Sequence, residues 1–274
     1  MTTIEQYEFD RLGYLVIKNL LAPDEVSTLS QAIDATEEHA LAHLHLPPRK
    51  ESPWQKGHDY HRNDERGYHT WGGNADGETL MIEDFWNADP RFHFLINHQP
   101  TMNYISEIVQ ERPTINNSEI RIRYPQNATG SHMGGPMGTK YRYSYANSKI
   151  DCMMVRMVYF VHDVGPGEGA FCVVPATHKS NFSPPYGLSA PDEEPGMIGL
   201  EVEAGDAILF TENLRHGGLI NRSQQTRKTL HVGYGPPWMM SQNIATADEL
   251  PFITQSTRAL LSPEKNNMFR AWPI

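Results

Sequence analysis

Apolar residues recur along the chain with two different spacings. The run at 14–18 predicts a short strand, and Val26, Leu29 and Ile33 repeat at helical spacing after Pro23, which suits the first turn of a helix. A second helical stretch is predicted around 90–109. Short β-like runs follow, separated by Gly, Pro, Asn and Asp, at 120–124, 153–161, 170–174, 207–210 and 228–234.

Many short strands with turn residues between them indicate a sandwich or barrel rather than alternating strands and helices. We therefore predict one mainly β domain over residues 1–274. Its parts are a helical N-terminal part at about 1–115, a β core at about 116–240 and a helical tail at about 241–274.

The segment 46–77 interrupts this pattern, because it is polar, irregular and rich in His and aromatic residues. A loop of this length is usually functional or mobile, and it could form a lid. Aromatic residues could roof a mostly apolar substrate pocket or simply pack: Trp54, Tyr60, Trp71 and, from 236–240, Trp238. The spacings of His58, His61 and His69 fit no zinc pattern, and we expect these side chains at the surface.

Composition narrows the classes of function. The 31.1 kDa chain has 39% hydrophobic and 20% charged residues, which is typical of a folded globular protein. A net charge of -10 disfavours nucleic acid and anionic membranes as partners. The N-terminus is acidic and polar, and no run approaches the roughly 20 apolar residues of a membrane helix, so we expect a cytoplasmic protein. Cys152 and Cys172 have apolar neighbours and are expected to be free thiols.

Thirteen His against two Cys point to a metal, and two of these His are placed to share one. His132 lies in a Gly-rich stretch, and His216 follows the apolar strand at 207–210. Arg227 comes eleven residues later, at the start of the next strand, so adjacent antiparallel strands can bring it to the same inner face as His216. A metal beside a fixed Arg suits a dicarboxylate such as 2-oxoglutarate.

Several segments, in this order, resemble one known family. They are FDRLGYLVIKNLLAPDEV, VYFVHDVGPGEGAFCVVPATHKSN, AGDAILFTENLRHGG and NRSQQTR, which together look like the phytanoyl-CoA dioxygenase-like branch of the iron(II)/2-oxoglutarate-dependent oxygenases. The resemblance implies a double-stranded β-helix, that is, a cupin-like jelly roll with flanking helices. It also implies Fe(II) and 2-oxoglutarate as cofactors, with O2 and a small molecule as substrates. His132 and His216 would then be metal ligands, and Arg227 would bind the far carboxylate of 2-oxoglutarate.

The sequence departs from this family at one ligand. The family's motif is His-x-Asp, but the second residue after His132 is Gly134, which has no carboxylate. Three alternatives follow. Water or another ligand could fill the position in a hydroxylase, chloride could bind on the Gly134 side as in the related halogenases, or the chain could be a non-catalytic jelly-roll binding protein.

Three further positions bear on this choice. Glu212, four residues before His216, could replace the missing carboxylate through a tight turn or could hydrogen-bond a ligand His. Arg156 lies within an apolar strand and must point outward or face an anion, either in the site or near the substrate. Gly218 stands where the family often has a hydroxyl residue near 2-oxoglutarate. We predict an oxidoreductase that acts on an unactivated C–H bond of a small organic substrate, with no catalytic residue beyond the metal site.

Overall fold

The computed structural model describes residues 1–52, 59–134, 141–182, 184–185, 190–239 and 253–269. The helices in these ranges are α1 (Thr3–Leu12), α2 (Pro23–His43), α3 (Gln99–Ile108), α4 (Gln255–Leu260) and α5 (Pro263–Asn266). The N-terminal strands are β1 (Tyr14–Ile17), β2 (Arg49–Glu51), β3 (Asp59–Asn63), β4 (Tyr68–Gly72), β5 (Thr79–Glu83), β6 (Thr114–Arg123), β7 (Thr129–His132) and β8 (Tyr143–Ala146). The remaining strands are β9 (Lys149–Cys152), β10 (Val155–Phe160), β11 (Phe171–Val174), β12 (Ile198–Leu200), β13 (Ala207–Thr211), β14 (Arg215–Gly218) and β15 (Arg227–Gly235).

Two antiparallel sheets make up the body of the fold. The larger has nine strands in the order β1-β13-β10-β15-β6-β5-β4-β3-β2, and the smaller has four in the order β12-β11-β14-β7. Buried side chains from both sheets meet in one apolar cluster, in which Phe160 and Phe210 of the large sheet join Phe171 of the small one. This is the predicted jelly roll, and the fold class is therefore confirmed.

Helices cover the other face of the large sheet, and strand alternation divides the two environments. On β6, Ile120 and Ile122 belong to the main hydrophobic core, while Arg121 and Arg123 line a cavity between the sheets. Successive strand residues point to opposite faces, so the sequence EIRIR gives one apolar face and one charged face. The charged face is the one that lies inside the jelly roll.

The segment at 46–77, predicted as an irregular loop that could form a lid, instead contains β2, β3 and β4, which extend the large sheet at its edge. The prediction was wrong because backbone pairing does not require apolar alternation, and these strands bury polar side chains that are hydrogen-bonded. His61 Nδ1 donates to the Leu46 carbonyl (2.6 Å), and Asn63 Oδ1 accepts from the Arg66 amide (2.9 Å). The predicted helical part at 1–115 thus also carries five strands.

The helix predicted after Pro23 is confirmed as α2, and the stretch at 90–109 contains a 3-10 helix (Pro90–Asn97) followed by α3. α1 was not predicted. Thr2 and Glu5 cap its start, since the Glu5 amide donates to Thr2 Oγ1 (3.2 Å) and the Thr2 amide to Glu5 Oε2 (2.6 Å). In the predicted tail, 241–252 lies outside the described residues. No helix in the described part of the chain is long and apolar enough to cross a membrane.

Candidate metal centre

The structure brings the two predicted ligand histidines together. His132 ends β7 and His216 lies in β14, and the two strands pair so that these residues are direct partners in the ladder. Their ring centroids are 4.3 Å apart. His216 is buried against Phe210, whereas His132 is exposed where a cleft opens to the outside.

Backbone carbonyls orient both imidazoles in the same way. Nδ1 of His132 donates to the Gly130 carbonyl at 2.9 Å, and Nδ1 of His216 donates to the Leu214 carbonyl at 2.8 Å. A proton held on Nδ1 leaves the lone pair on Nε2, which is the arrangement of histidines that ligate metals in proteins. Both side chains are therefore prepared to coordinate through Nε2.

Both imidazoles are also held in the neutral form that a metal requires. Although part of the His132 side chain faces the cleft, desolvation by the protein around the ring lowers the pKa of His132, and burial together with the adjacent His132 lowers the pKa of His216 well below its ordinary value. Metal affinity depends on deprotonated ligands, so these shifts favour binding at neutral pH.

The two histidines fit an iron(II) ion as two protein ligands, with the other positions open to 2-oxoglutarate and a further ligand. Among the residues that the structure describes, no three His, Cys, Asp or Glu side chains are close enough together to hold a metal ion. The site thus differs from a complete two-histidine, one-carboxylate set, as the Gly134 position indicates.

Arg227 lies beside a second arginine that the sequence reasoning missed. Arg227 and Arg123 are direct partners between β15 and β6, and both are buried. Nε of Arg227 and both Nε and Nη1 of Arg123 are buried without a hydrogen-bond partner in the described ranges, while Nη1 of Arg227 donates to the Gly169 carbonyl. Burial lowers the pKa of Arg227 to about 10, and burial with Arg227 nearby lowers that of Arg123 well below its ordinary value. In the described part of the chain, neither guanidinium has a carboxylate partner, and two such buried cations favour a dianionic ligand.

Gly218 makes room for Arg123. A Cβ at residue 218 would collide with Nη1 of Arg123 and lie 3.1 Å from its Cζ. The guanidinium of Arg123 therefore occupies the space in which the family often has a hydroxyl side chain, two residues after the distal histidine. Arg123 also lines the inner cavity, together with His132 and His216. The strict alternation in EIRIR was the sequence signal for it, because the two arginines of that run share one face.

Arg156 faces anions inside the jelly roll, which resolves the choice left open by the sequence. Its Nη1 lies 3.1 Å from Glu119 Oε1, and its Nε forms an ion pair with Glu212 Oε1. Glu119 also binds Nε of Arg121 through Oε2, at 2.6 Å. The network links β6, β10 and the turn after β13, and all four side chains are largely removed from water.

This network predicts a pH dependence of stability. Although burial raises the pKa of Glu119, the charges of Arg121 and Arg156 outweigh it and lower the pKa to about 2 from 4.5. The stabilisation is complete above about 4.5 and is lost as the pH falls towards 2, which corresponds to about 3 kcal/mol. Urea unfolding at pH 7 and at decreasing acidic pH should show this loss in the wild-type protein. Glu119→Gln should be less stable at pH 7 and flatter with pH; an unchanged slope would contradict the assignment.

A cleft of about 520 Å³ leads from the surface to His132, Arg121 and Arg123. Of the predicted roof residues, Trp71 lines it, next to Met81 of β5. Tyr60 is buried, Trp238 is half exposed and donates to Glu111 Oε2 (2.7 Å), and Trp54 lies outside the described residues. The walls of the cleft are thus β4, β5 and β6 of the large sheet and β7 of the small one, with the turn between β4 and β5.

Four of the other histidines have structural contacts. His61 and His69 are buried, which corrects the prediction of a surface position, because each binds a polar partner: Leu46 O and Asp84 Oδ2 (3.1 Å). His58 lies outside the described residues. His162 and His178 contact the backbone at Asp163 and Asp10. Cys152 and Cys172 are buried and, as predicted, free thiols.

A family model described as phytanoyl-CoA dioxygenase (PhyH) matches residues 9–229. No curated protein matches the chain.

Several solved structures share the fold. HygX from Streptomyces hygroscopicus, with nickel and 2-oxoglutarate bound, is 20% identical, with a TM-score of 0.67 and coverage of 88% of this chain and 89% of that one. The non-heme alpha ketoglutarate dependent carbocyclase SnoK from nogalamycin biosynthesis is 15% identical, with a TM-score of 0.60 and coverage of 96% and 92%. The epimerase SnoN, in complex with Fe3+, alpha ketoglutarate and nogalamycin RO, is 16% identical, with a TM-score of 0.58 and coverage of 90% and 89%.

Proposed function

Because the chain belongs to the phytanoyl-CoA dioxygenase family, we propose that it oxidises an unactivated C–H bond of a small organic substrate, with hydroxylation as the outcome. The family confirms the predicted resemblance and the class of enzyme, a 2-oxoglutarate-dependent iron oxidoreductase. The expected cofactors agree with the neighbours that hold iron, or nickel with 2-oxoglutarate. The observation that carries the proposal is the paired His132 and His216, each anchored through Nδ1, next to two buried arginines that form no ion pair in the described part of the chain.

Each residue has a distinct part in this proposal. His132 and His216 hold the iron through Nε2, and Arg227 with Arg123 binds the far carboxylate of 2-oxoglutarate. Iron, with 2-oxoglutarate and O2, supplies the oxidant for the C–H bond. Phe210 and Phe171 pack around His216 and exclude water from the inner side of the site. The substrate would enter through the cleft beside Trp71, whose volume of about 520 Å³ is in the range of small-molecule sites.

Two other functions make different predictions. Halogenation is favoured by the missing carboxylate at Gly134 and needs chloride beside it. A non-catalytic binding protein is favoured by the same absence of a carboxylate, but it would not need two adjacent histidines that are both anchored through Nδ1. A cytoplasmic location stays a prediction.

Anaerobic protein titrated with iron(II) and 2-oxoglutarate should develop the weak visible band of the metal chelate. His132→Ala should abolish the band and the conversion of 2-oxoglutarate to succinate, because it removes one of two protein ligands. His162→Ala serves as a matched control, since the ring nitrogens of this imidazole bind the backbone at Asp163 and Lys228 rather than a residue of the proposed site. Absence of the band in the wild-type protein at high concentrations of both ligands would favour a binding protein. Once a substrate is found, mass spectrometry of product formed with bromide present separates hydroxylation from halogenation.

A further inference from the structure

Residue 134 is held directly against residue 212. The amide of Gly134 donates to the carbonyl of Glu212 at 2.7 Å, and the amide of Glu212 donates to the Met154 carbonyl at 3.2 Å. The chain turns immediately afterwards, where the Leu214 amide donates to the Thr211 carbonyl at 2.8 Å. These contacts place Glu212 beside residue 134, the position at which the family's His-x-Asp motif has its carboxylate.

The side chain of Glu212 occupies the room that a side chain at residue 134 would need. A Cβ at residue 134 would collide with Glu212 Oε2 and would lie 2.7 Å from Glu212 Cβ and 3.0 Å from its carbonyl oxygen. Two carbon atoms without a bond between them do not approach this closely in a relaxed structure. The position of Glu212 therefore requires a glycine at residue 134, and the side chain of Glu212 fills the space beside Gly134.

Glu212 brings a negative charge to this place and is fixed there. The residue is 4% exposed, and its Oε1 forms an ion pair with Nε of Arg156. Arg156 is itself held by Glu119, so the carboxylate of Glu212 has a defined position.

We propose that Glu212 replaces, in both space and charge, the carboxylate that Gly134 lacks, so that this side of the metal site rejects halide. The inference rests on the proposed function, because it requires a metal held by His132 and His216. Two neutral histidines leave the charge of iron(II) uncompensated, and an adjacent carboxylate lowers that cost. A chloride ion would have to enter occupied space and lie beside a buried carboxylate of the same sign.

Cobalt(II) is the probe for the test, because its visible spectrum reports binding without turnover. Glu212→Gln keeps the shape of the side chain and removes its charge, and it should weaken cobalt binding in the absence of 2-oxoglutarate by roughly 10- to 100-fold. Asp206→Asn is the matched control: it also removes the charge of a buried carboxylate that forms an ion pair, here with Lys18, but it precedes β13, at the opposite end of that strand from Glu212. Its cobalt affinity should equal that of the wild-type protein. Equal affinities in wild type and Glu212→Gln would overturn the inference.

Bromide provides the second readout. Excess bromide should leave the cobalt spectrum of the wild-type protein unchanged and should alter that of Glu212→Gly, in which the space beside Gly134 is open. A bromide-dependent change in the wild-type spectrum would overturn the inference in favour of the halide site. The proposed function fails separately, if His132→Ala binds cobalt as the wild-type protein does.

Discussion

Replacement of Arg227 by leucine is expected to weaken 2-oxoglutarate binding at least about 100-fold, because a charge-assisted, two-pronged bond to a carboxylate is lost from a buried site. Arg227 is 2% exposed, and no water can take over its role at such a depth without cost. The dissociation constant follows from the chelate band at saturating iron(II), and succinate formation should fall in parallel.

Arg123→Leu tests the second guanidinium in the same assay. Arg123 lines the inner cavity and has two buried nitrogen atoms without partners in the described part of the chain, so we expect a loss of similar size. The two arginines are neighbours in the ladder. Their losses of affinity should not add in the double variant, because replacing either one already breaks a bond to the far carboxylate that uses both.

Lys228→Met is the matched control for both arginine variants. Lys228 follows Arg227 in β15 and therefore points to the opposite face of the sheet, where Nζ binds Asp34 Oδ1 at 2.7 Å. It loses the same charge outside the site, and its affinity for 2-oxoglutarate should match that of the wild-type protein. If Arg227→Leu and Arg123→Leu also bind like the wild-type protein, neither residue holds the cofactor.

Gly134→Asp should fail to restore the family's metal site. The new Cβ would meet the side chain and carbonyl of Glu212, so the free energy of unfolding should fall by about 1–3 kcal/mol, as for other overpacked positions. Two carboxylates would also share one buried place, which disfavours the ionised form of both. Urea unfolding measures the first effect, and cobalt titration should show no gain in metal affinity.

The double variant Gly134→Asp/Glu212→Gly separates the steric cause from a general intolerance. Removing the side chain of Glu212 opens the space, so part of the lost stability should return and cobalt binding should approach that of the wild-type protein. Gly130→Asp is the matched control, because an added Cβ at residue 130 meets nothing within 4 Å. A Gly134→Asp protein as stable as the wild type, with tighter cobalt binding, would contradict the packing between residues 134 and 212.

Local patterns predicted the elements whose faces differ strongly in polarity. α2 begins at Pro23 as predicted, and the predicted ranges of the apolar strands β10, β13 and β15 agree with the observed ones to within two residues. β6 begins at Thr114, six residues before its predicted start. β2, β3, β4, β7 and β14 were missed, because polar side chains and glycines fill them and only pairing with neighbours makes them strands. The two ligand strands, β7 and β14, belong to this second group.

The sequence by itself determined the family and the jelly roll, and it predicted three candidate site residues: His132, His216 and Arg227. Residue types and their order can be recognised in a sequence without any knowledge of interatomic distances. Only the tertiary structure decided what surrounds them. Arg123 joins Arg227 across a ladder, and Glu212 reaches Gly134 across a turn, because contacts between residues distant in sequence depend on strand pairing. The missing carboxylate, read from the sequence as a gap, is in the fold a place that Glu212 fills.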